Sequence, residues 1–181
     1  MKKDIANITP EPTLAGSLIK KWTIDFSSTE VANAVAVQTD GKIVAVGFVA
    51  VVGNSNYENN DFAVFRYNAD GSLDNSFGGD GKVTTSIGNE SNSYDVAVAV
   101  VIQPDGKIIA GGTSLVRYNP DGSPDSAFDG DGKQTTATFP DVPSVANAVV
   151  IDDRLEFGYK TFFVGYSNNG TNDDFAIAAV Y

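Results

Sequence analysis

The chain repeats one stretch of 17 residues, which reads Arg66-Tyr67-Asn68-Ala69-Asp70-Gly71-Ser72-Leu73-Asp74-Asn75-Ser76-Phe77-Gly78-Gly79-Asp80-Gly81-Lys82. The second copy reads Arg117-Tyr118-Asn119-Pro120-Asp121-Gly122-Ser123-Pro124-Asp125-Ser126-Ala127-Phe128-Asp129-Gly130-Asp131-Gly132-Lys133 and is identical at 12 of the 17 positions. Chance does not produce such agreement, so the chain is built from internal repeats. Repeats of about 40–50 residues indicate propellers or solenoids.

Further segments extend each repeat and reveal a third unit. Residues 34–43 match residues 99–108, and both contain a Gln-x-Asp-Gly-Lys-Ile motif. In the third unit, residues 147–151 resemble 33–37 and residues 174–177 resemble 61–64, while residues 152–160 have lost the Asp-Gly turn. The chain is therefore predicted to hold three units, the third of them divergent.

Each unit is predicted to form up to four antiparallel strands, a to d. The Asp-Gly dipeptide between two apolar runs is the strongest short-range hairpin signal, because Gly supplies the positive φ that the turn requires. The predicted strands are 34–38, 98–103 and 148–151 for a; 42–52, 107–112 and 161–166 for b; 61–67, 114–118 and 174–181 for c; and 82–86 and 133–138 for d. The predicted fold class is all-β.

The composition excludes several classes of function. The chain has 181 residues with no Cys and no His, which excludes disulfides, thiol nucleophiles, a Ser-His-Asp triad and the usual zinc or haem sites. The net charge of −11 argues against a nucleic-acid binder with a basic patch. Among the acids, 18 are Asp and 5 are Glu, and the repeated turns account for much of this excess of Asp.

The N-terminal segment carries no recognisable targeting signal. Residues 5–17 contain Pro10, Glu11 and Pro12, so they hold no apolar core of a signal peptide. The longest apolar run, residues 43–52, is shorter than the roughly 18 residues of a membrane helix, so no membrane insertion is expected. We expect residues 1–18 to form a flexible tail, and the sequence leaves the compartment open.

The repeated motifs resemble the delta-60 repeat, a bacterial family of β-propeller repeats. The resemblance rests on the 17-residue stretch and on the Val-Gln-x-Asp-Gly-Lys-Ile pattern, and it extends over residues 19–181. It implies one propeller blade of four strands per repeat and a cell-surface or secreted location. It implies no defined biochemical activity.

Three blades are predicted, at residues 27–86, 95–138 and 145–181, within a propeller domain spanning residues 19–181. Propellers typically have four to eight blades, so three would leave two exposed edges. The segment Lys20–Phe26 resembles strand d, which the last unit lacks. One hypothesis is a homodimer that forms a six-bladed ring, in which each N-terminal strand completes the last blade of its partner. The alternative is that the chain is a piece of a longer protein.

The acidic turns raise the question of calcium, which favours several carboxylate and carbonyl oxygens from a flexible loop. The EF-hand pattern fails, because Arg66 and Arg117 occupy its first ligand position. The favoured interpretation is that the carboxylates cap their own turns, so no cofactor is expected, with calcium as the alternative. The candidate ligands are Asp70, Asp74, Asp80, Asp121, Asp125, Asp129 and Asp131.

The parts that break the repeat are better candidates for a ligand site. The b–c loop is long in the first and third units and short in the second, which predicts a notch rich in amides and aromatic rings. Such a surface suits a glycan or a peptide. The candidate residues are Tyr57, Asn59, Asn60, Tyr166, Asn168 and Asn169.

The favoured function is a non-catalytic binding or scaffold module that self-associates through its propeller edges. Repeated residues such as Arg66 and Phe77 are interpreted as structural, with each Arg paired to a turn Asp and each Phe placed between blades. The alternatives are a calcium-stabilised surface or adhesion protein and a glycan-active enzyme that uses two carboxylates. No motif selects the catalytic residues of such an enzyme, because Glu30, Glu58, Glu90 and Glu156 are scattered.

Overall fold

A computed structural model of the chain describes residues 29–51, 59–87, 94–134, 144–153, 160–168 and 171–180. These residues form eleven strands and no helix, and therefore no helix of the described part is long and apolar enough to cross a membrane. The strands are β1 Glu30–Val37, β2 Ile43–Ala50, β3 Asn60–Tyr67, β4 Lys82–Thr85, β5 Ala97–Ile102, β6 Ile108–Gly112, β7 Leu115–Tyr118, β8 Lys133–Gln134, β9 Ser144–Asp152, β10 Lys160–Asn168 and β11 Asp173–Val180.

The strands pair into three antiparallel sheets that follow the three sequence units. The first sheet has the order β1-β2-β3-β4, the second β5-β6-β7-β8 and the third β9-β10-β11. Each is a meander of neighbouring strands, which confirms the predicted all-β class and the predicted order a to d in the first two units. The segment 20–26, predicted to complete the third sheet, and the predicted tail at 1–18 lie outside the described residues.

The observed strand bounds differ from the predicted ones mainly in strand a. The structure starts β1 at Glu30 and β9 at Ser144, four residues before each predicted start. The first residues of both strands are mostly Ala, Asn and Val, which is only a weak strand signal. They are nevertheless part of the strand because they pair with the long strand b. Strand b of the first unit ends at Ala50, and residues 135–138 of the second predicted strand d are outside the described residues.

The Asp-Gly hairpins form as the sequence predicts. Gly41 and Gly106 adopt φ values of 83° and 85°, which an L side chain rarely tolerates. Two backbone hydrogen bonds close each turn. One of them joins Gln38 N–H to Lys42 O at 2.8 Å in the first sheet, and its counterpart joins Gln103 N–H to Lys107 O at 2.8 Å in the second. These turns fix the register of β1 on β2 and of β5 on β6.

A bulge in the first strand of each sheet faces a glycine in the second. The register shifts between Ala32 and Ala34 in β1, and equivalent shifts occur in the other two sheets. A Cβ on Gly47, Gly112 or Gly165 would lie 1.8–1.9 Å from a carbonyl oxygen of the bulged strand. The sequence analysis missed these bulges, although a glycine inside a strand at the same position of every unit is their usual signal.

The first strands of the three sheets lie side by side, β1 against β5 and β5 against β9. One apolar core fills the space between the first and second sheets and a second core fills the space between the second and third. The second sheet is therefore covered on both faces, and every residue of β6 is buried. In β1, by contrast, Val35 and Val37 are about two-thirds exposed.

Candidate functional site

The repeated Asp side chains cap their own turns. In each turn the carboxylate accepts a hydrogen bond from the backbone N–H two residues further along, at 2.9–3.1 Å. The capping pairs are Asp40 with Lys42, Asp70 with Ser72, Asp80 with Lys82, Asp105 with Lys107, Asp121 with Ser123 and Asp131 with Lys133. This is the interpretation that the sequence favoured over calcium.

The calcium alternative gains no geometric support. Across the described ranges no three Asp or Glu residues converge into a group that could hold a metal ion. Asp129 adopts a left-handed φ of 51° in its turn, and the other six candidates accept hydrogen bonds from neighbouring groups. Calcium binding stays a prediction, and calorimetric titration with the ion is its test.

Arg66 joins its own turn to the turn of the next sheet. Its Nε donates to Asp74 Oδ2 at 2.7 Å, its Nη2 donates to Ser76 Oγ at 3.1 Å, and its Nη1 donates to the carbonyl of Pro120. The arginine is 5% exposed, and a buried guanidinium requires such partners. The predicted pairing of Arg66 with a turn Asp is confirmed, and its reach to the second unit is an addition that the structure reveals.

The second unit repeats the ion pair. Arg117 Nε donates to Asp125 Oδ2 at 2.6 Å, and Lys107 Nζ approaches the same carboxylate oxygen at 3.2 Å. Lys42 Nζ lies 3.5 Å from Asp74 Oδ2 in the first unit. Each buried carboxylate is thus held between one arginine and one lysine, as a structural ion pair requires.

These contacts keep both carboxylates charged. Burial alone would raise the pKa of Asp74, but hydrogen bonds from Ser76 and the charge of Arg66 outweigh it, and the pKa falls from 3.8 to about 2. The pKa of Asp125 is also lowered, because Lys107, the Ala127 N–H and Arg117 together outweigh its burial. Neither carboxyl is therefore poised to give or take a proton near neutral pH.

Phe77 and Phe128 lie between sheets, as the sequence predicted. Phe77 belongs to the core between the first and second sheets, and Phe128 to the core between the second and third. Each ring also lies under the arginine of its own unit, with the guanidinium carbon of Arg66 4.7 Å from the ring centroid of Phe77. A backbone hydrogen bond also crosses the junction between the first and second sheets, from Gly78 N–H to Asp121 O at 2.9 Å.

A buried hydrogen bond strengthens the same junction. Tyr118 of β7 is fully buried, and its hydroxyl lies 2.8 Å from Thr85 Oγ1 of β4. Burial raises the pKa of Tyr118 well above its usual range, which the bond to Thr85 only partly offsets. The repeated polar residues of this region therefore serve the contact between sheets.

An open cavity of about 900 Å³ lies at the a–b turns of the first two sheets. Asp40, Lys42, Asp105 and Asp121 line it, and their side chains are already engaged in turn caps and ion pairs. The buried Oε1 of Gln103, another lining residue, accepts no hydrogen bond. Gln38, which also lines the cavity, has an equivalent buried Oε1 without a hydrogen bond.

The described residues of the predicted glycan or peptide notch lie in or beside the first and third sheets, and their grouping stays a prediction. Asn60 is fully buried at the start of β3, next to Asn59 in the first sheet, whereas Tyr166 lies in β10 of the third sheet. Asn168 ends β10, and its side chain, like Tyr57 and Asn169, is outside the described residues. The predicted short loop is confirmed, since β6 and β7 are joined by Thr113 and Ser114 alone.

Two apolar sheet faces point away from the second sheet. We define the leading face of the first sheet by Val35, Val37, Ala45 and Tyr67, and the trailing face of the third sheet by Val150, Phe162, Phe175 and Ile177. Val35 and Val37 are 65% and 67% exposed, and Phe175 and Ile177 are 74% and 60% exposed. On the leading face, Ala45 and Tyr67 pack against the buried residues Val49, Ala63 and Phe65, so this face is open mainly at Val35 and Val37. Exposed apolar groups such as these mark an interaction surface.

The described carboxylates offer one group with a raised pKa. Burial raises the pKa of Asp61, the charge of Asp95 adds to the effect, and a hydrogen bond with Ser86 opposes it. Glu30 lies on β1, while Glu58, Glu90 and Glu156 are outside the described residues. Because only Glu30 of the four lies in the described residues, the pairing of glutamates considered for glycoside hydrolysis stays a prediction.

Comparison with known families agrees with the repeat units. A family model described as a domain of unknown function (DUF5122) beta-propeller matches residues 38–77 and 103–128. Both matched ranges begin at the equivalent Gln and end at the equivalent Phe of the first two units. No curated protein matches the chain. The match and the antiparallel sheets support a β-propeller repeat family, which is a coarser statement than the delta-60 resemblance. The sheets of three and four strands are consistent with propeller blades in a domain of unknown function.

Proposed function

We propose that this chain is a non-catalytic β-propeller module that works as a scaffold and assembles with further blades through its leading and trailing faces. Phe175 and Ile177 carry the proposal, because the equivalent residues of the first sheet, Phe62 and Val64, are fully buried against the second sheet. Side chains that are core in one blade are thus exposed in another. Covering them with a further blade would remove apolar surface from water, at roughly 25 cal/mol per Å² buried.

The charged groups support a structural rather than a catalytic role. Arg66, Asp74, Arg117 and Asp125 are consumed in ion pairs that hold turns and blades together. The acidic turns use their carboxylates as caps. Both repeated motifs therefore have a structural role. The exposed apolar groups of the leading and trailing faces support a role in assembly.

Sedimentation equilibrium of the purified chain tests the proposal. We expect a mass above 19.0 kDa that rises with concentration, because the faces associate. A single species of 19.0 kDa up to millimolar concentration would contradict assembly. The finer expectations of a delta-60 repeat, a homodimer and an extracellular location belong to this proposal and are supported by the repeat pattern alone.

A ligand-binding role is the second candidate. The two-residue connection Thr113–Ser114 lies in the sheet between two with longer b–c loops, which supports a recess for a glycan or peptide at that end. Screening the chain against glycan and peptide libraries tests this role, with the loop substitution Asn59→Ala as a control for specificity.

A further inference from the structure

We propose that the trailing face of one copy of the chain binds the leading face of a second copy, and that two copies close a six-bladed ring. This inference rests on the proposed function, to which it adds the identity of the partner and the pairing of the faces. The occupant of each open face is thus a blade of the same protein.

The contact proposed between two copies is based on the junction between the first and second sheets. The first sheet contributes Val44, Val46, Phe62 and Val64, which are all fully buried there. Facing them, the second sheet contributes Ile108, Ala110, Val116 and Tyr118, also fully buried. A junction between blades therefore has two different sides.

The trailing face repeats the first of these sides. The bulge glycines Gly47 and Gly165 fix the equivalence of β2 with β10, and strand pairing extends it to β3 and β11. By this register Phe162, Val164, Phe175 and Ile177 occupy the positions of Val44, Val46, Phe62 and Val64. All four residues are apolar. Val164 and Phe175 are identical to their counterparts, and Ile177 replaces the similar Val64.

The leading face repeats the second side. Ile43 pairs with Tyr67 in the first sheet, as Ile108 pairs with Tyr118 in the second. Val35 and Val37 occupy the positions of Val100 and Ile102, which pack against the first junction. Two copies of the chain therefore carry both halves of a junction that each copy already makes once internally.

Blade number fixes how many copies close the ring. A head-to-tail contact generates a ring when its rotation closes and a filament when it does not. Propellers typically have four to eight blades, and six is the only multiple of three in that range. Two copies therefore give a closed ring with two identical junctions.

The junction between copies lacks the polar contacts of the first internal junction. The described third sheet has three strands, so it offers no counterpart of β4 with its Thr85–Tyr118 bond, of the Phe77 ring or of the Gly78–Asp121 bond. Ala179 occupies the position of Arg66 and Arg117, so the third blade lacks the guanidinium that reaches the next turn. The junction between copies is consequently apolar. Its association should be less sensitive to salt than a contact built on ion pairs.

Charge substitutions on each face test the pairing. Phe175→Glu blocks the trailing face, Val35→Glu blocks the leading face, and Asn75→Glu adds the same charge at an exposed turn outside both faces. The substituted side chains are exposed in the single chain, so circular dichroism should show unchanged folding. Ile177→Lys and Val37→Lys provide a second pair in case either first variant fails to fold.

Sedimentation equilibrium should find the wild type and Asn75→Glu dimeric. Each face variant alone should be monomeric, with a dissociation constant raised by about a hundredfold or more, because a charge is buried without a partner. An equimolar mixture of the two face variants should form a heterodimer, since one intact leading face meets one intact trailing face. This heterodimer should be weaker than the wild-type dimer, because it has one junction instead of two.

The outcomes separate the two proposals. A wild-type chain that stays monomeric would refute both assembly and the ring. A wild-type dimer that both face variants leave unchanged would refute only the pairing of faces. If one face variant alone stays dimeric, or if the mixture forms no heterodimer, the contact is not head-to-tail and the inference is overturned.

Discussion

Gly112→Ala should destabilise the fold strongly, because this glycine faces the bulge of β5. A Cβ at position 112 would lie 1.9 Å from the carbonyl oxygen of Val96 and 2.9 Å from its carbonyl carbon. Relief to an ordinary contact requires a shift of roughly 1.5 Å in backbone that is tied to a neighbouring strand. The Thr113 N–H donates to that same Val96 oxygen at 3.1 Å, so the shift would also strain this bond.

The expected cost follows from these contacts. Overpacking in a fixed environment costs about 1–3 kcal/mol, and each backbone bond lost adds about 1 kcal/mol. Alanine also lowers the conformational entropy of the unfolded chain, which offsets about 0.4–1 kcal/mol of this loss. The net loss is therefore about 2 kcal/mol, a sizeable part of the roughly 5–15 kcal/mol that stabilises a typical domain.

Urea denaturation of Gly112→Ala beside Gly111→Ala measures this loss. The control residue adjoins Gly112 on the same strand, and its added Cβ would meet only the end of Leu115 at 3.2 Å and the ring of Phe163 at 3.6 Å. These side chains are able to adjust, so Gly111→Ala should change the free energy of unfolding by less than about 1 kcal/mol. Equal stability of the two variants would refute the role assigned to the bulge glycine.

Two further predictions concern the junction between the first and second blades. The pKa of Asp74 in the folded chain, about 2, lies below the usual 3.8, so its charged form contributes stability above about pH 4 that is lost as the pH falls toward about 2. Acid titration of the free energy of unfolding should show this loss, and Asp74→Asn should show a smaller one along with a lower stability, by about 3 kcal/mol, at pH 7. Tyr118→Phe should lower the stability by about 1 kcal/mol, because it leaves Thr85 without its buried partner, whereas the half-buried Tyr67→Phe should cost less. Equal losses for the two tyrosine variants would contradict this assignment.

Local signals in the sequence predicted most of the strands and turns. The Asp40-Gly41 and Asp105-Gly106 dipeptides require a positive φ, and the structure has it at both glycines. The repeat itself predicted that Phe77 and Phe128 would share one role, because equivalent residues of equivalent blades meet equivalent neighbours. Such features depend on a few adjacent residues and therefore appear in the sequence.

Contacts between units were harder to predict. The ion pair of Arg66 with Asp74 spans eight residues, whereas its bond to Pro120 spans 54 and depends on how two blades stack. The notch predicted from Asn60 and Tyr166 would likewise depend on how the first and third sheets are placed about the second, and it stays a prediction. Tyr166 pairs across the strands with Phe175, on the trailing face.

The contact of Arg66 with the turn of the following blade has a consequence for the growth of such chains. The first unit supplies the arginine that contacts the following turn, and the second unit supplies the turn whose Pro120 and Asp121 carbonyls accept hydrogen bonds from the first. Tandem duplication of the coding segment would therefore add a blade whose two junctions are already compatible, without any compensating substitution. The third unit, with Ala179 at the arginine position, has lost the forward half and can evolve its outer surface independently of a successor.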